Sequence, residues 1–279
     1  MKVSVLTPLY KTDERFLREA IESVLGQTFG DFELLLLDDC PEDDREAVVR
    51  SYGDKRIVYL KNERNLGITA SRNRLIDLAK GEYLAVFDHD DICRPERFAK
   101  EVAYLDAHPE CGVVGGWTKP TSGTPNIYPE SDHAIRLAMM EGASVWHPAA
   151  MIRRSALDAA KVRYEADYSP VEDYMLWMRL LPHTAFHNLQ EIVLDYRWHD
   201  GNTSVVRKRE LDAQAARVKA WARVHEPELY AEYELRRETM RRVRLFGVPI
   251  LKITSRNRET DIRLFGGIPF LRLTRRDRI

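Results

Sequence analysis

Residues 88–91 read Asp-His-Asp-Asp, at the end of the apolar run YLAVF. The three carboxylates, packed with an imidazole into four positions, repel one another when desolvated, because burial and a neighbouring like charge both penalise the ionised form. A cation relieves both penalties. Asp88 and Asp90, two residues apart on a loop, are hard oxygen donors of the kind that Mg²⁺ or Mn²⁺ takes, and such ions fill their shell with phosphate oxygens of a substrate. A nucleotide diphosphate is therefore a natural partner. A second acidic pair, Asp38 and Asp39, follows ELLLL, and a third, Glu172 and Asp173, stands in VEDYMLW. Plainer roles exist for some of these acids. Asp91 can cap the next helix, and carboxylates in a first helical turn answer the helix dipole.

The elements that carry these residues follow from periodicity. Val3–Thr7 is a β-branched run closed by Pro8, which suits a buried strand ending in a loop. Phe16, Leu17, Ala20, Ile21, Val24 and Leu25 recur on one helical face, with Asp13 as cap. Strands are expected at ELLLL, at Ile57–Leu60 and at YLAVF. An acidic helix around Ala47–Val49 and a helix from Gly67 to a Gly81 C-cap lie between them. Strands alternating with helices, each strand nearly all apolar, argue a parallel sheet covered on both faces, with ligands outside the carboxyl ends of the strands. Both acidic clusters should then share one rim. Farther on, CGVVGGW reads as a strand, TKPTSGTPNIYPE as a loop and WHPAAMIRRSAL as strand-like at its centre. SPVEDYMLWMRLL is a helix with Glu172 and Asp173 in its first turn, and residues 205–242 are helix-rich with a break at Pro227.

Composition narrows the class. The chain of 279 residues is 44% hydrophobic and 31% charged, enough for one large core or two modest ones. It has no apolar run of about eighteen residues, and MKVSVLTPLYKTDE lacks the apolar centre of a signal peptide, so a cytoplasmic location is expected. Three cysteines without metal-ligand spacing read as reduced thiols. The net charge of −1 conceals an asymmetry: residues 236–279 hold 13 Lys+Arg against 4 Asp+Glu, a balance of +9. A basic tail on an acidic body points to a polyanionic neighbour, an anionic membrane or nucleic acid. Within it VRLFGVPILKI returns as IRLFGGIPFLRL, a composition suited to a lipid interface or to a packed hairpin.

VSVLTPLYK, SVLGQTFGDFELLLLDDCPEDD, NERNLGITASRNRLIDLAKGEYLAVFDHDD and VEDYMLWMRL stand in the order and spacing of the family 2 glycosyltransferases, which the chain resembles over roughly residues 1–200. The resemblance implies an α/β GT-A fold, with a Rossmann-like, mostly parallel sheet flanked by helices. A catalytic domain would cover residues 1–204, its nucleotide-binding half 1–110 and its acceptor half 111–204, followed by a helical extension over 205–242 and a basic tail over 243–279. It also implies roles. Thr7, Pro8, Tyr10 and Asp39 would border the nucleotide base, and Arg72, Asn73 and Asp88 the rest of the donor. Asp88, Asp90 and His199 would hold Mn²⁺ or Mg²⁺. Asp173 would be the general base with Glu172 its neighbour, and Trp146 and His147 would lie near the sugar or acceptor. The reaction implied is inverting transfer of a sugar from a nucleotide-diphosphate donor, UDP favoured, to a hydroxyl of a glycan or glycolipid such as lipopolysaccharide, capsule or O-antigen. A peripheral place at the inner membrane face, through the tail, goes with that reading, and specific nucleic-acid binding does not.

Two other classes remain to be weighed. Sugar-phosphate nucleotidyltransferases use a related sheet, but their first strand is followed by a glycine-rich loop, and TPLYKTDERF contains no glycine. A non-catalytic scaffold acting through its basic tail would not need Asp88, Asp90 and Asp173 intact.

Overall fold

The computed structural model describes residues 1–199, 201–242, 251–256, 259–264 and 269–274, with side chains as far as residue 236. The chain divides into two compact units, Met1–Ala222 and Arg223–Ile279.

The first unit opens with β1 (Val3–Leu9), α1 (Glu14–Leu25), β2 (Phe32–Asp38), α2 (Glu46–Arg50), β3 (Ile57–Lys61), α3 (Ile68–Leu78) and β4 (Tyr83–Val86). After these come β5 (Ile92–Cys93), α4 (Arg97–Ala107), β6 (Cys111–Pro120), α5 (Asp132–Met139), β7 (Met151–Arg153), α6 (Arg154–Ala160), α7 (Glu172–Leu180) and β8 (Ala185–Tyr196). Helices α8 (Thr203–Val206) and α9 (Lys208–His225) follow. Eight strands form one sheet in the order β3-β2-β1-β4-β7-β6-β8-β5. Pairs β1/β2, β1/β4, β2/β3 and β6/β8 are parallel, and β4/β7, β6/β7 and β5/β8 are antiparallel.

This order decides where the site lies. Strands β1 to β4 run the same way, so their carboxyl ends share one rim. Crossing β7 reverses direction twice, which turns β6 and β8 back into line with β4. The acidic residues after β2 and β4, and His199 beyond β8, therefore meet along one edge of the sheet. Because β7 runs the opposite way, its amino end, with Trp146 and His147 just before it, reaches that edge too.

Local chemistry explains the elements. Both faces of β1 and β2 are buried, as their unbroken apolar runs require. Helix α1 buries Leu17, Ala20, Ile21 and Val24, and Asp13 caps it by accepting from the Arg15 and Phe16 N–H groups. The strand β1 runs through Pro8 instead of stopping before it. Leu6 O accepts from Phe87 on the β4 side and Leu9 O from Asp39 on the β2 side. Alternation turns Pro8 toward β4, whose pairing with β1 ends at Leu6–Val86, so the missing N–H costs no ladder bond. Gly81 is not the cap of α3, which ends at Leu78 with extended backbone at Ala79. Glycine is needed there because a Cβ would sit 2.4 Å from the Ser4 amide nitrogen.

The first unit runs on past residue 204, since α9 buries Val218 and Ala222 and its Arg217 donates to Asp167 O at 2.8 Å. The second unit holds α10 (Pro227–Arg242), which starts at the expected proline, and an antiparallel sheet of β9 (Leu251–Arg256), β10 (Glu259–Leu264) and β11 (Pro269–Thr274). The repeated LFG segments lie largely outside the described residues. No helix among the described residues is long and apolar enough to cross a membrane.

Candidate active site

The turn after β4 places its acids unequally. Asp91 is 1% exposed, accepts the Arg197 N–H at 2.8 Å through Oδ1 and leaves Oδ2 buried without a partner. Burial, with Asp88 and Asp90 beside it, holds its carboxyl well above the usual carboxylate range. It does not cap α4, where Glu96 occupies the cap position. Asp90 faces the rim with Oδ2 2.9 Å from His199 Nε2. Gly201 N–H donates to His199 Nδ1 at 3.2 Å, so the neutral ring carries its proton on Nε2 and donates to Asp90. Burial, with Asp90 beside it, also raises the Asp88 carboxyl, against the pull of Arg72.

Arg197, which the sequence did not single out, staples this turn in place. Its Nε donates to Asp90 O at 2.8 Å, its guanidinium pairs with Glu19 of α1, and it lies 4.3 Å over the Phe16 ring. The signal was its place in YRWHD, two residues before His199.

The residues of the turn fit a divalent ion. Asp88 and Asp90 offer oxygen, with the His199 ring beside Asp90, and burial together with the neighbouring like charges raises the Asp88 and Asp91 carboxyls. Among the described residues no group of three or more His, Cys, Asp and Glu is placed to hold a metal ion. An ion taken by Asp88 and Asp90 would need further oxygens, of the kind a substrate diphosphate supplies.

At the head of α7, the two adjacent acids differ in environment. Glu172 is 3% exposed and accepts from Arg72 Nη1 at 2.7 Å, with Oε2 buried and unpartnered. Asp173 accepts the Tyr174 N–H at 2.7 Å. Burial and the Glu172 charge push its carboxyl up to about 6, with Arg72 opposing them. Arg72 reaches onward to Asp88 at 3.6 Å and so joins the head of α7 to the acidic turn.

The remaining expected residues divide into three groups. Thr7, Pro8, Tyr10 and Asp39 lie on the β1–β2 stretch of the rim. The Thr7 hydroxyl is buried without a partner, and Tyr10 is exposed, with Lys11 Nζ 5.2 Å from its ring centroid. Asp39 is buried and accepts from Asn62 Nδ2 at 2.7 Å and from the Leu66 and Gly67 amides at 2.8 Å. Gly67, at φ +83, caps α3 in a conformation that only glycine adopts readily. Asn73 and His147 turn inward. The Asn73 amide exchanges hydrogen bonds with the Tyr164 backbone at 2.9 and 3.0 Å, and His147 Nε2 lies 2.7 Å from the Tyr164 hydroxyl. Burial holds the His147 ring well below the usual imidazole range. Trp146 belongs to an aromatic cluster, edge-on to Tyr196 at 5.1 Å.

The family model described as glycosyl transferase family 2 matches residues 4–161. An uncharacterized glycosyltransferase of Methanocaldococcus jannaschii is 31% identical over 221 residues, covering 75% of this chain and 76% of its own. WfaP of Escherichia coli, a UDP-Glc:alpha-D-GlcNAc-diphosphoundecaprenol beta-1,3-glucosyltransferase, is 25% identical over 226 residues, 78% of this chain and 86% of its own. Of solved structures, S. aureus TarS 1-349 in complex with UDP-GlcNAc matches with a TM-score of 0.68 at 21% identity, over 86% of this chain and 73% of that one. The mannosyltransferase PcManGT from Pyrobaculum calidifontis, in complex with GDP-Man and Mn²⁺, matches with a TM-score of 0.61 at 15% identity, over 88% and 76%. These two likenesses concern the fold, an α/β sheet flanked by helices of the GT-A type.

Proposed function

Because the chain belongs to glycosyl transferase family 2, we propose that its acidic rim binds a nucleotide-diphosphate sugar, UDP favoured, and that Asp173 is the base for inverting transfer to a hydroxyl of a glycan or glycolipid. The observation that carries this reading is the Arg72 bridge, 2.7 Å from Glu172 and 3.6 Å from Asp88, which brings the base helix to the acidic turn. Glu172 is committed to Arg72, so Asp173 is the carboxylate left to meet the acceptor.

Asp173 takes the hydroxyl proton as the new bond to the anomeric carbon forms, a task that depends on placement more than on high basicity. Its carboxyl near 6 leaves it ionised at neutral pH. Thr7, Pro8, Tyr10 and Asp39 border the base, Arg72 and Asp88 face the diphosphate, and Trp146 with its aromatic neighbours borders the acceptor. Asp88 and Asp90 would hold Mn²⁺ or Mg²⁺, joined by His199 only where its Nε2 gives up the proton it now donates to Asp90, and the ion when bound would neutralise charge on the departing diphosphate. UDP-GlcNAc and Mn²⁺ in the matched structures support the donor and ion, and the lipid-linked acceptor in the name of WfaP supports a cell-surface glycan. In this reading residues 1–204 hold the catalytic residues, and the basic tail keeps the enzyme at the inner membrane face.

The test is a pair of variants. Asp173→Asn should lower transfer about a hundredfold to ten-thousandfold while keeping Mn²⁺-dependent thermal stabilisation by UDP-sugars, and Asp90→Ala should lose that stabilisation. Normal turnover by Asp173→Asn would end the proposal.

A further inference from the structure

We infer that Tyr164 is a positioning residue for the transfer, the platform that holds Arg72 between the head of α7 and the acidic turn; this rests on the reading of Asp173 as the base. Tyr164 is 4% exposed and lies on the segment between α6 and α7. Its backbone is clamped to α3 by both ends of the Asn73 amide, one residue along from Arg72. The hydroxyl is 2.7 Å from His147 Nε2, and the two rings meet edge-on at 5.6 Å. With backbone and hydroxyl both tied, the ring has a single orientation, and the Arg72 guanidinium lies 5.7 Å from its centroid.

Arg72 needs such a support. It has one short bond, to Glu172, and a longer contact to Asp88, while its Nε is buried with no partner. One bond at one end lets a guanidinium swing, and an aromatic face beneath it restricts the plane. The network also accounts for two polar side chains that sit near the site yet point away from it. Asn73 and His147 both end on Tyr164.

The consequence reaches the base through charge. Asp173 is faced by Glu172 on its own helix, by Arg72 on α3, by Asp88 on the acidic turn and by the phenol of Tyr164. Arg72 is the only cation among these four. If it drifts, Asp173 binds its proton more tightly and the base is lost at a higher pH.

The test follows release of the nucleoside diphosphate from UDP-glucose, UDP-N-acetylglucosamine and GDP-mannose with Mn²⁺, from about pH 5 to about pH 8, around the working range of a carboxylate base. Tyr164→Leu should lower kcat by about tenfold or more, with donor KM rising as Arg72 loosens, and move the acid limb to higher pH, the direction expected when a neighbouring cation is loosened. A variant that is merely less stable would lose amplitude without moving the limb. A carboxyl ¹³C titration of the ligand-free protein, with the Asp173 signal identified by its loss in Asp173→Asn, should shift the same way and needs no donor. An unmoved titration, or a raised donor KM at unchanged kcat, overturns the inference.

Should Tyr164→Leu not fold, Tyr164→Phe and His147→Leu carry the test, since each removes the same hydroxyl–imidazole bond. Their losses in kcat should match and the double variant should lose no more, whereas additive losses overturn the shared role. The two readings fail separately. Full activity in Asp173→Asn removes the base, while an inactive Asp173→Asn beside an unaltered Tyr164→Leu removes only the platform.

Discussion

Glu172 and Asp173 are neighbours in the chain but not in their surroundings: one is buried and neutralised by Arg72, and the other is half-buried beside a like charge and accepts from the Tyr174 backbone N–H. The stability of the fold should register the difference. The Asp173 carboxyl lies near 6 in the native protein against an ordinary 3.8. The native state therefore binds more protons than the unfolded one between those values, so stability from this group is present at low pH and is lost as pH rises through that window. Asp173→Asn should raise stability at pH 7.5 by on the order of 1–3 kcal/mol and leave it unchanged below about pH 4. Thermal midpoints at the two pH values measure this, and equal midpoints at pH 7.5 would mean that the carboxylate is not desolvated. Asp88 and Asp90 could be singled out by side-chain type and spacing, and Asp173 through the family resemblance. Tyr164 and Arg197 were not, since a lone tyrosine or arginine has a role only through partners about a hundred residues away, 91 for Asn73 and 107 for Asp90.

The elements most readily read were those with one dominant period. The helix α1 and strands β1 to β4 follow their apolar patterns, whereas β8, with its mixture of buried and half-buried positions, passed unnoticed between two better-marked segments. Its partner β5 has two residues and no period to detect. These two strands nevertheless carry His199 to Asp90. The centre of the sheet depends on a further unread device, Arg97 of α4. Its side chain is 0% exposed, paired to Glu101 at 3.0 Å, and it donates to the carbonyls of Pro148, Val86 and Ala150. It thus ties β4 to the turn that presents His147. Arg97→Met leaves Glu101 buried alone and should cost about 3–5 kcal/mol, with part of the loss recovered in Arg97→Met/Glu101→Met. Urea midpoints of the three proteins check this, and an additive double variant would mean that the pair is not coupled.

On the scale of the whole molecule, charge is divided along the chain. Residues 236–279 carry +9, and the 235 residues before them carry 30 Lys+Arg against 40 Asp+Glu, a balance of −10. A peripheral enzyme drawn to an anionic leaflet gains about 1 kcal/mol for each Lys or Arg brought near the surface, and salt removes the gain within a Debye length. The full chain should therefore float with phosphatidylglycerol vesicles at low salt and be released at about 0.5 M NaCl, where screening is nearly complete. Equal binding to neutral phosphatidylcholine vesicles would instead make the contact apolar.

By itself the sequence determined the inventory of chemistry and the rim on which it gathers, because acids that follow buried strands must emerge at the carboxyl edge of a parallel sheet. It also determined the family, through motifs whose order and spacing survive without coordinates. Only the tertiary structure decided how the candidates divide. Glu172 goes to Arg72, Asp91 to the Arg197 amide, Asn73 and His147 to Tyr164, and Asp173 accepts from the Tyr174 N–H. The physical reason is that a polar side chain takes its role from whichever donor or charge the fold brings within about 3 Å, and local periodicity carries no record of those long-range meetings.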